Sequence, residues 1–361
     1  MAHGDWRGRA RSLGRKLVRV LAVAGALALA AGAGGAAWEI GQQRAFERAG
    51  YEPPGQLVDV GGRRLHLECS GSGEPGVMLI SGLGGTFAAW GASFRDSIAG
   101  FSRVCAYDRA GIGWSDPAEA PRTADAAARD LAALLAAARP FGGPPVVVGH
   151  SIGGLYAIHY ARMHPADVSG LVLIDPTTEA LYDAAADWRS DAVYRFVWPT
   201  LGRLGILRLK FRRAHRGLDP DSLDLLAGVA SGYPAGRIVA REYRGLEDSF
   251  HRADDAGAPT DDHGLRTARG ITVPLVVISA RRSADFDEGS MDRDSDRDRE
   301  RIGEIRRSSH TGLAADASDG RMIEIDSGHY IFRESPDTVV AVIHRVVTRA
   351  RPGADSGKGN P

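Results

Sequence analysis

The sequence predicts an α/β protein: a mostly parallel sheet of about eight strands with helices on both faces and an inserted helical cap. Short apolar runs alternate with helical segments from residue 56 onward, and such alternation gives a parallel sheet covered on both faces. The alternation stops over residues 177–270, where aromatic, leucine and arginine residues recur at helical spacing, and it resumes at Pro274. We therefore expect one domain over residues 56–350 with its cap at 177–270.

Each expected element has a local signal. The segments 56–60 and 63–69 flank Gly61-Gly62, a dipeptide typical of a two-residue hairpin. The other strands are expected in short apolar runs, at residues 76–81, 103–108, 145–149, 170–175, 274–280 and 321–325. Helices are expected at 123–139, with Thr123 as the N-cap, at 152–164 and at 336–350. Residues 351–361 are polar and contain glycine, which predicts a disordered tail.

The charge balance conceals an uneven distribution. The 361 residues include 45 basic and 45 acidic side chains, so the formal net charge is zero. This argues against a nucleic-acid-binding protein, which usually carries a basic excess. Residues 1–19 nevertheless hold six basic side chains and one acidic side chain, a net +5, which leaves −5 for the remainder. Two cysteines are too few for a disulfide-rich scaffold or a structural zinc site.

An uncharged stretch follows the basic tail. Residues 20–38 contain no charged side chain and approach the roughly 20 residues that a membrane-spanning helix needs. With the tail 1–19 in the cytoplasm, the positive-inside rule predicts that the rest of the chain lies outside it. Residues 39–55 are then expected to form a juxtamembrane linker, a short helix that ends at Pro53-Pro54-Gly55. Two alternatives stay open: a cleaved signal peptide, which would make the protein secreted, and a buried alanine-rich helix.

The candidate nucleophile is Ser151. It lies in Gly149-His150-Ser151-Ile152-Gly153, a G-x-S-x-G sequence between an expected strand and an expected helix. A sharp strand-to-helix turn exposes the serine oxygen at the start of the helix and requires small neighbours. A glycine-rich structural turn is the alternative. The context favours a serine that a nearby base activates for nucleophilic attack.

His329 is the candidate base. It stands between the last expected strand and the last helix, where a loop can reach the nucleophile at the carboxyl edge of the sheet. As a general base it would accept the Ser151 proton and return it to the leaving group. A loop histidine without a catalytic role is the alternative. The backbone N–H groups of Ile152 and of Leu83, in a glycine-rich loop, are the expected donors to the oxyanion.

These segments together resemble the α/β-hydrolase superfamily. The resemblance is carried, in the family's order, by residues 81–85 (SGLGG), 107–116 (YDRAGIGWSD), 149–157 (GHSIGGLYA), 170–176 (GLVLIDP) and 326–329 (DSGH). It implies the α/β-hydrolase fold and hydrolysis by a Ser-His-Asp triad, with no metal ion and no organic cofactor. Asp108 and Arg109, in the second segment, are expected to order the mouth of the site.

The acid of the implied triad departs from the family's usual pattern. Most relatives place it after the seventh strand, often in a Gly-x-x-Asp turn. Here that strand is followed by RRSADFD, in which Asp285 or Asp287 could serve but no such turn occurs. Some relatives use the end of the sixth strand, where Asp175 stands. We expect Asp175 to be the acid, with Asp285 as the alternative.

The resemblance also implies a disulfide. In the family's strand order the second and fourth strands are antiparallel neighbours, and Cys69 and Cys105 lie at facing positions on them. An exported domain would permit a bridge between them. Two buried thiols are the alternative.

The sequence and the resemblance together predict a membrane-anchored, extracytoplasmic serine hydrolase that cleaves a small-molecule carboxylic ester through an acyl-enzyme on Ser151. The alternatives are an amidase, peptidase or acyltransferase with the same triad, and a catalytically idle binding module. Within the cap, residues 194–207 mix apolar and basic side chains. We expect cap helices that pack on the core, with an acyl-chain channel or membrane contact as the alternative. The charged run 291–301 is expected to be solvated.

Overall fold

The computed structural model describes residues 6–118, 122–184, 196–214, 223–224, 227–229, 232–251, 268–282 and 296–351. The chain divides into two compact units, one of residues 1–51 and 197–236 and the other of residues 52–196 and 237–361. Asp285, Asp287, the start of the charged run 291–301 and the tail from residue 352 lie outside the described residues. What the sequence predicts for them stays a prediction.

The second unit contains, within the described residues, a sheet of eight strands. They are β1 (Gln56–Asp59), β2 (Arg64–Ser70), β3 (Val77–Ile80), β4 (Val104–Tyr107), β5 (Val146–His150), β6 (Gly170–Ile174), β7 (Leu275–Ala280) and β8 (Gly320–Ile325). Their spatial order is β1-β2-β4-β3-β5-β6-β7-β8. Strand β2 is antiparallel to β1 and β4, and the other neighbours are parallel. The predicted mostly parallel sheet of about eight strands is confirmed.

The helices of the two units follow in chain order. They are α1 (Trp6–Ala49), α2 (Ala92–Ala99), α3 (Ala124–Ala138), α4 (Ile152–Met163), α5 (Glu179–Ala184), α6 (Trp198–Arg203), α7 (Ile206–Ala214), α8 (Gly232–His251), α9 (Asp296–Asp316), α10 (Ile331–Glu334) and α11 (Pro336–Ala350). Helices α3, α4 and α11 coincide with predicted segments. Thr123 caps α3, because its hydroxyl accepts a hydrogen bond from Ala126 N–H at 3.2 Å.

The core of the second unit lies between the sheet and its helices. One face of the sheet packs against α2 and α11, and α11 buries Val339, Val342, Ile343 and Val346 at helical spacing. Helix α4 packs on β3, β5 and β6, and α9 packs on β7 and β8. Because the parallel strands share one carboxyl edge, the loops that follow β3, β5, β6 and β8 open at that edge.

Two helices extend beyond the predicted segments. Helix α1 runs without a break through Ala49, so the uncharged stretch and most of the helical linker expected at 39–55 form one helix. The first interruption is Gly50, whose φ is +61°. Helix α9 begins at Asp296, inside the charged run, and continues to Asp316. Glu300 and Arg301, at the end of the run, are exposed, and the part of the helix beyond the run packs on the sheet.

The first unit holds α1, α6 and α7. Over Lys16–Ala49, α1 is long and apolar enough to cross a membrane. Its apolar side chains are exposed, as for Leu21 and Leu27. A signal sequence near an N-terminus passes the same test of length and composition, so the helix fits an anchor and a signal segment alike.

A disulfide joins Cys69 and Cys105. The two residues face each other in the antiparallel register of β2 and β4, the pairing that the family resemblance implies. The bridge spans a sequence separation of 36 residues. A closed loop of that size stabilises a folded chain by about 4 kcal/mol, because it limits the freedom of the unfolded state.

Candidate active site

Ser151 occupies the sharp turn between β5 and α4. Its backbone φ is +56°, a conformation that is costly for a residue with a side chain. Gly149 and Gly153 make the turn possible. A Cβ at Gly149 would lie 2.3 Å from the carbonyl oxygen of Gly153, and a Cβ at Gly153 would lie 2.2 Å from that of Ile80. The two glycines are therefore steric requirements of the turn that holds Ser151 at the carboxyl edge of the sheet.

Thr177 is the polar neighbour of Ser151. The two hydroxyl oxygens are 3.4 Å apart. The backbone holds the two residues side by side, because Ser151 N–H donates to Ile174 O and Thr177 N–H donates to Ser151 O, each at 3.0 Å. Thr177 is buried, and no sequence pattern pointed to it. At 3.4 Å its hydroxyl contact with Ser151 is longer than an ordinary hydrogen bond between hydroxyls.

Asp175 and His329 form a buried hydrogen-bonded pair. Asp175 directly follows β6, and its Oδ2 lies 2.6 Å from Nδ1 of His329 in the loop after β8. The other carboxylate oxygen accepts a hydrogen bond from Ala280 N–H at 3.0 Å. Asp175 has a φ of +42°, so its backbone, like that of Ser151, is strained at this edge. The structure thus brings together the expected acid and the expected base.

Helix α9 supplies two further groups beside Asp175. Arg306 Nε lies 3.5 Å from Asp175 Oδ1, and His310 Nδ1 lies 4.0 Å from the same oxygen. His310 is fixed at both ring nitrogens, because Nδ1 is 2.9 Å from Ser279 Oγ and Nε2 donates to Pro176 O at 2.9 Å. Both side chains are almost fully buried. The positive charge nearest to the Asp175 carboxylate on this side is therefore the buried guanidinium of Arg306.

The electrostatics of this site keep Asp175 ionised. Burial opposes ionisation and would raise its pKa, but the hydrogen bond from His329 and the charge of Arg306 outweigh burial and hold the pKa of Asp175 well below its usual range. A carboxylate at Nδ1 fixes the His329 tautomer with its hydrogen on that nitrogen. Nε2 is then the basic nitrogen of the ring.

His150 packs beside His329 and is held neutral. The ring centroids are 4.6 Å apart, and His150 Nε2 donates to the carbonyl oxygen of His329 at 3.0 Å. Burial, together with the proximity of His329, lowers the pKa of His150 well below its ordinary value. The observed role of His150 is to support the loop that carries His329.

A buried ion pair holds the glycine-rich loop after β3. Arg109 donates to the carbonyl oxygens of Ser81 and Gly82 at 2.5 and 2.7 Å. The Glu242 carboxylate, from α8, pairs with Arg109 through contacts of 2.6 and 3.0 Å. Glu242 also accepts the Gly84 N–H at 2.7 Å. The loop is thus clamped on both sides of Leu83.

The amides of Leu83 and Ile152 are suited to oxyanion binding. Ile152 N begins α4, where the first N–H groups have no partner within the helix. Among the described residues, neither amide has a hydrogen-bond acceptor. Because the Gly82 backbone packs beside Ser151, a carbonyl oxygen of a substrate attacked by the serine would develop its charge near both amides.

Asp108 holds two neighbouring loops through its carboxylate. Its carboxylate accepts hydrogen bonds from Phe87 N–H at 2.7 Å and Trp114 N–H at 3.1 Å. It also lies 3.0 Å from His66 Nδ1.

Within the described part of the chain, no group of three or more His, Cys, Asp or Glu side chains is arranged to hold a metal ion.

The sheet order and the serine-bearing turn define the class of α/β-hydrolase folds. The chain belongs to the alpha/beta hydrolase family, whose sequence model matches residues 77–342. The solved structure of the enol-lactonase from Burkholderia xenovorans LB400 superposes with a TM-score of 0.55 at 19% identity, covering 81% of this chain and 100% of that one. At that identity the likeness concerns the fold.

Similarity to curated proteins is confined to parts of the chain. The putative carbamate hydrolase RutD of Variovorax paradoxus is 38% identical over 114 residues, 31% of this chain and 42% of that protein. Lipase LipV of Mycobacterium tuberculosis is 49% identical over 73 residues, 20% of this chain and 27% of the lipase. The chain spans less than half the length of the curated relatives it matches. Family membership supports a hydrolase.

Proposed function

We propose that the protein is a serine hydrolase that cleaves a carboxylic ester through an acyl-enzyme on Ser151. The observation that carries the proposal is the 2.6 Å hydrogen bond between Asp175 Oδ2 and His329 Nδ1. This contact places a buried carboxylate where a triad needs its acid, at the ring nitrogen of His329 that does not face the serine in the proposed reaction. The pair weighs against a catalytically idle binding module, the alternative suggested by the lack of a Gly-x-x-Asp turn after β7.

Acylation follows from the roles of these groups. Ser151 Oγ attacks the ester carbonyl carbon while His329 Nε2 takes the serine proton. The carbonyl oxygen becomes an oxyanion and accepts hydrogen bonds from Leu83 N–H and Ile152 N–H. The imidazolium then gives its proton to the alcohol oxygen as the bond between that oxygen and the carbonyl carbon breaks. The products of this step are the alcohol and acyl-Ser151.

Deacylation repeats the sequence with water. His329 takes a proton from water as the water oxygen attacks the acyl carbon, and it returns that proton to Ser151 Oγ as the acid leaves. Asp175 stays ionised in both steps. Its charge stabilises the imidazolium, and its hydrogen bond keeps the ring in the reactive tautomer.

The ester class is supported by the name of one relative. LipV is named a lipase, and lipases act on carboxylic esters. No metal ion or organic cofactor has a part in the proposed reaction. The substrate is a small molecule with an ester group, and nucleic acid has no role.

We further propose that α1 anchors the protein and that the catalytic domain lies outside the cytoplasm. The basic tail before the apolar stretch favours this orientation. The Cys69–Cys105 bridge supports an oxidising compartment. Thiol titration of the denatured, exported protein should find no free thiol. Two free thiols would contradict the proposed location.

A panel of p-nitrophenyl esters of rising acyl length tests the catalytic proposal. The wild type should release p-nitrophenol, and the preferred length would define the acyl specificity. Ser151→Ala should lower kcat by about 10⁶-fold, whereas Ser97→Ala, at an exposed serine of α2, should keep the wild-type rate. Absence of hydrolysis of every ester, or equal rates for wild type and Ser151→Ala, would refute the proposal.

A further inference from the structure

A short hairpin packs against the apolar part of α1 in the first unit. Helices α6 and α7 are joined by Leu204 and Gly205, and we call residues 198–214 the α6–α7 hairpin. A Cβ at Gly35 would lie 2.7 Å from Leu204 O, and a Cβ at Gly32 would lie 3.8 Å from Leu204 Cδ2. Small residues permit this close approach, as they do between helices within membranes.

The position of this contact along α1 indicates its depth in a membrane that α1 would span. Gly32 and Gly35 belong to the uncharged stretch 20–38, and Glu39 is the first charged residue after it. At a rise of 1.5 Å per residue, Gly35 lies about 6 Å and Gly32 about 10 Å before Glu39 along the helix axis. If α1 spans a bilayer, the turn of the hairpin therefore lies inside the apolar layer.

Helix α7 has the reverse of the polarity expected for a helix in water. The side chain of Arg208 is only 3% exposed, whereas Leu209 and Ile206 are 55% and 42% exposed. A helix on a soluble surface buries leucine and exposes arginine. The outer face of α7 at Ile206 and Leu209 is thus apolar where it would meet solvent.

An ion pair explains how Arg208 is accommodated inside. Its guanidinium donates two hydrogen bonds of 2.8 Å to the Glu39 carboxylate, and both side chains are nearly buried. Charged groups at membrane depth face the protein interior and pair with one another. The pair therefore fixes the hairpin to α1 and leaves no charge on the outward face at Ile206 and Leu209.

The end of α7 is basic. Arg212 and Arg213 occupy its last turn; Arg212 pairs with Asp224, and Arg213 is exposed. In helices that lie in a membrane interface, basic side chains reach the anionic headgroups while the apolar face enters the acyl region. The polarity of α7 along its length matches that arrangement.

We propose that the α6–α7 hairpin docks into the bilayer leaflet that borders the end of the α1 span. Ile206 and Leu209 lie among the acyl chains, and Arg213 lies at the headgroup phosphates. The proposal rests on the proposed membrane anchor, and it adds a second membrane contact that an anchor alone does not require. The occupant of the apolar face is lipid.

Depth-dependent fluorescence quenching tests the docking on the full-length chain. Single cysteines at Leu209, Leu27 and Ser97 would carry an environment-sensitive fluorophore, because the two native cysteines are bridged. Each variant is reconstituted in phosphatidylcholine–phosphatidylglycerol vesicles with and without spin-labelled lipid, after its ester hydrolysis is checked. Leu27→Cys reports on the anchor, and the exposed Ser97→Cys reports on the aqueous phase. We expect lipid quenching at Leu209 comparable to that at Leu27, and none at Ser97.

The outcomes separate the docking from the anchor. Quenching at Leu27 with a Leu209 signal equal to that of Ser97 overturns the docking and leaves the anchor in place. Absence of quenching at both Leu27 and Leu209 overturns the anchor and the docking together. A Leu209 signal that resists lipid quenching but shifts with protein concentration identifies a second copy of the chain as the occupant, and also overturns the docking.

Discussion

Two buried carboxylate–arginine pairs, one in each unit, are built differently. In the first unit, Glu39 receives two hydrogen bonds of 2.8 Å from Arg208. In the second unit, Arg306 stands 3.5 Å from Asp175, and the shorter contact of Asp175, at 2.6 Å, is with His329. Arg208 donates to both oxygens of the Glu39 carboxylate, whereas Oδ2 of Asp175 contacts His329 and not the arginine.

Under the proposed function, this difference separates a structural pair from a catalytic one. The charge of Glu39 is neutralised where it stands, so its loss should cost stability. The charge of Asp175 is directed at His329, so its loss should cost rate. Glu242 combines both roles, because it neutralises the buried charge of Arg109 and also binds the loop that contains Leu83. Substitution should therefore lower the catalytic rate most at Asp175, less at Glu242, still less at Arg306, and least at Glu39.

Asp175→Asn should have the largest effect among these four positions. Asparagine keeps the size of the side chain and can still accept the Ala280 N–H, but it presents no negative charge to His329. We expect kcat for a p-nitrophenyl ester to fall by about 10⁴-fold. Asp285→Asn is the matched control and should keep the wild-type kcat. Inactivity of the control, with activity retained in Asp175→Asn, would assign the acid to Asp285.

Glu242→Gln should have the next largest effect. The amide cannot balance the buried Arg109 charge, so the loop that carries Leu83 loses its clamp and the oxyanion donor moves. We expect kcat to fall by up to about 10²-fold, with a smaller change in KM. Steady-state kinetics and the thermal unfolding temperature should be measured together. An unchanged kcat would show that the loop keeps its shape without Glu242.

Arg306→Met should change the pH dependence more than the maximal rate. Removing the guanidinium removes a charge that lowers the pKa of Asp175, so the pKa of Asp175 rises and its negative charge is lost at a higher pH on acidification. The acid limb of kcat/KM should therefore move to higher pH. His310 and His150 also face this pair and remain in the variant.

Arg307→Met is the control for this pH shift. Arg307 is the next residue of α9, but it is exposed and pairs with Glu324. Its variant should reproduce the wild-type pH profile. Equal profiles for wild type and Arg306→Met would show that Arg306 has a structural role only.

Glu39→Gln should have the smallest effect on rate and a clear effect on stability. It leaves the Arg208 charge buried without its counter-charge, a loss that costs about 3–5 kcal/mol. Proteolysis at the arginines of the α6–α7 hairpin should accelerate, while kcat for a soluble ester stays at the wild-type value. The double variant Glu39→Met/Arg208→Met should restore protease resistance. Equal proteolysis of wild type and Glu39→Gln would show that the pair does not hold the hairpin.

Most of the sheet could be predicted because its strands are buried on both faces and read as short apolar runs. Val146 to Gly149 is such a run, and the position of Ser151 follows from the strand before it and the helix after it. His329 was predictable from its place after the last strand. The acid required the family resemblance, since carboxylates follow several strands and only the fold decides which one meets His329.

The groups that support the site could not be predicted, because long-range packing places them. Glu242 is 158 residues from Gly84, whose N–H it accepts. Arg306 and His310 follow a charged run that indicates a solvated segment, and only the packing of α9 on β7 and β8 buries them. A local pattern also misleads in α7, where Arg208 is inside and Leu209 is outside.

Labelling with a fluorophosphonate, followed by mass spectrometry of the peptides, tests the central claim most directly. The Ser151 oxygen should displace fluoride and form one phosphonyl adduct per chain, on the peptide that contains Ser151. Ser151→Ala should show no adduct, and Asp175→Asn should label much more slowly than the wild type. Labelling at another residue, or equal labelling of Ser151→Ala and the wild type, would contradict the assignment of Ser151 as the nucleophile.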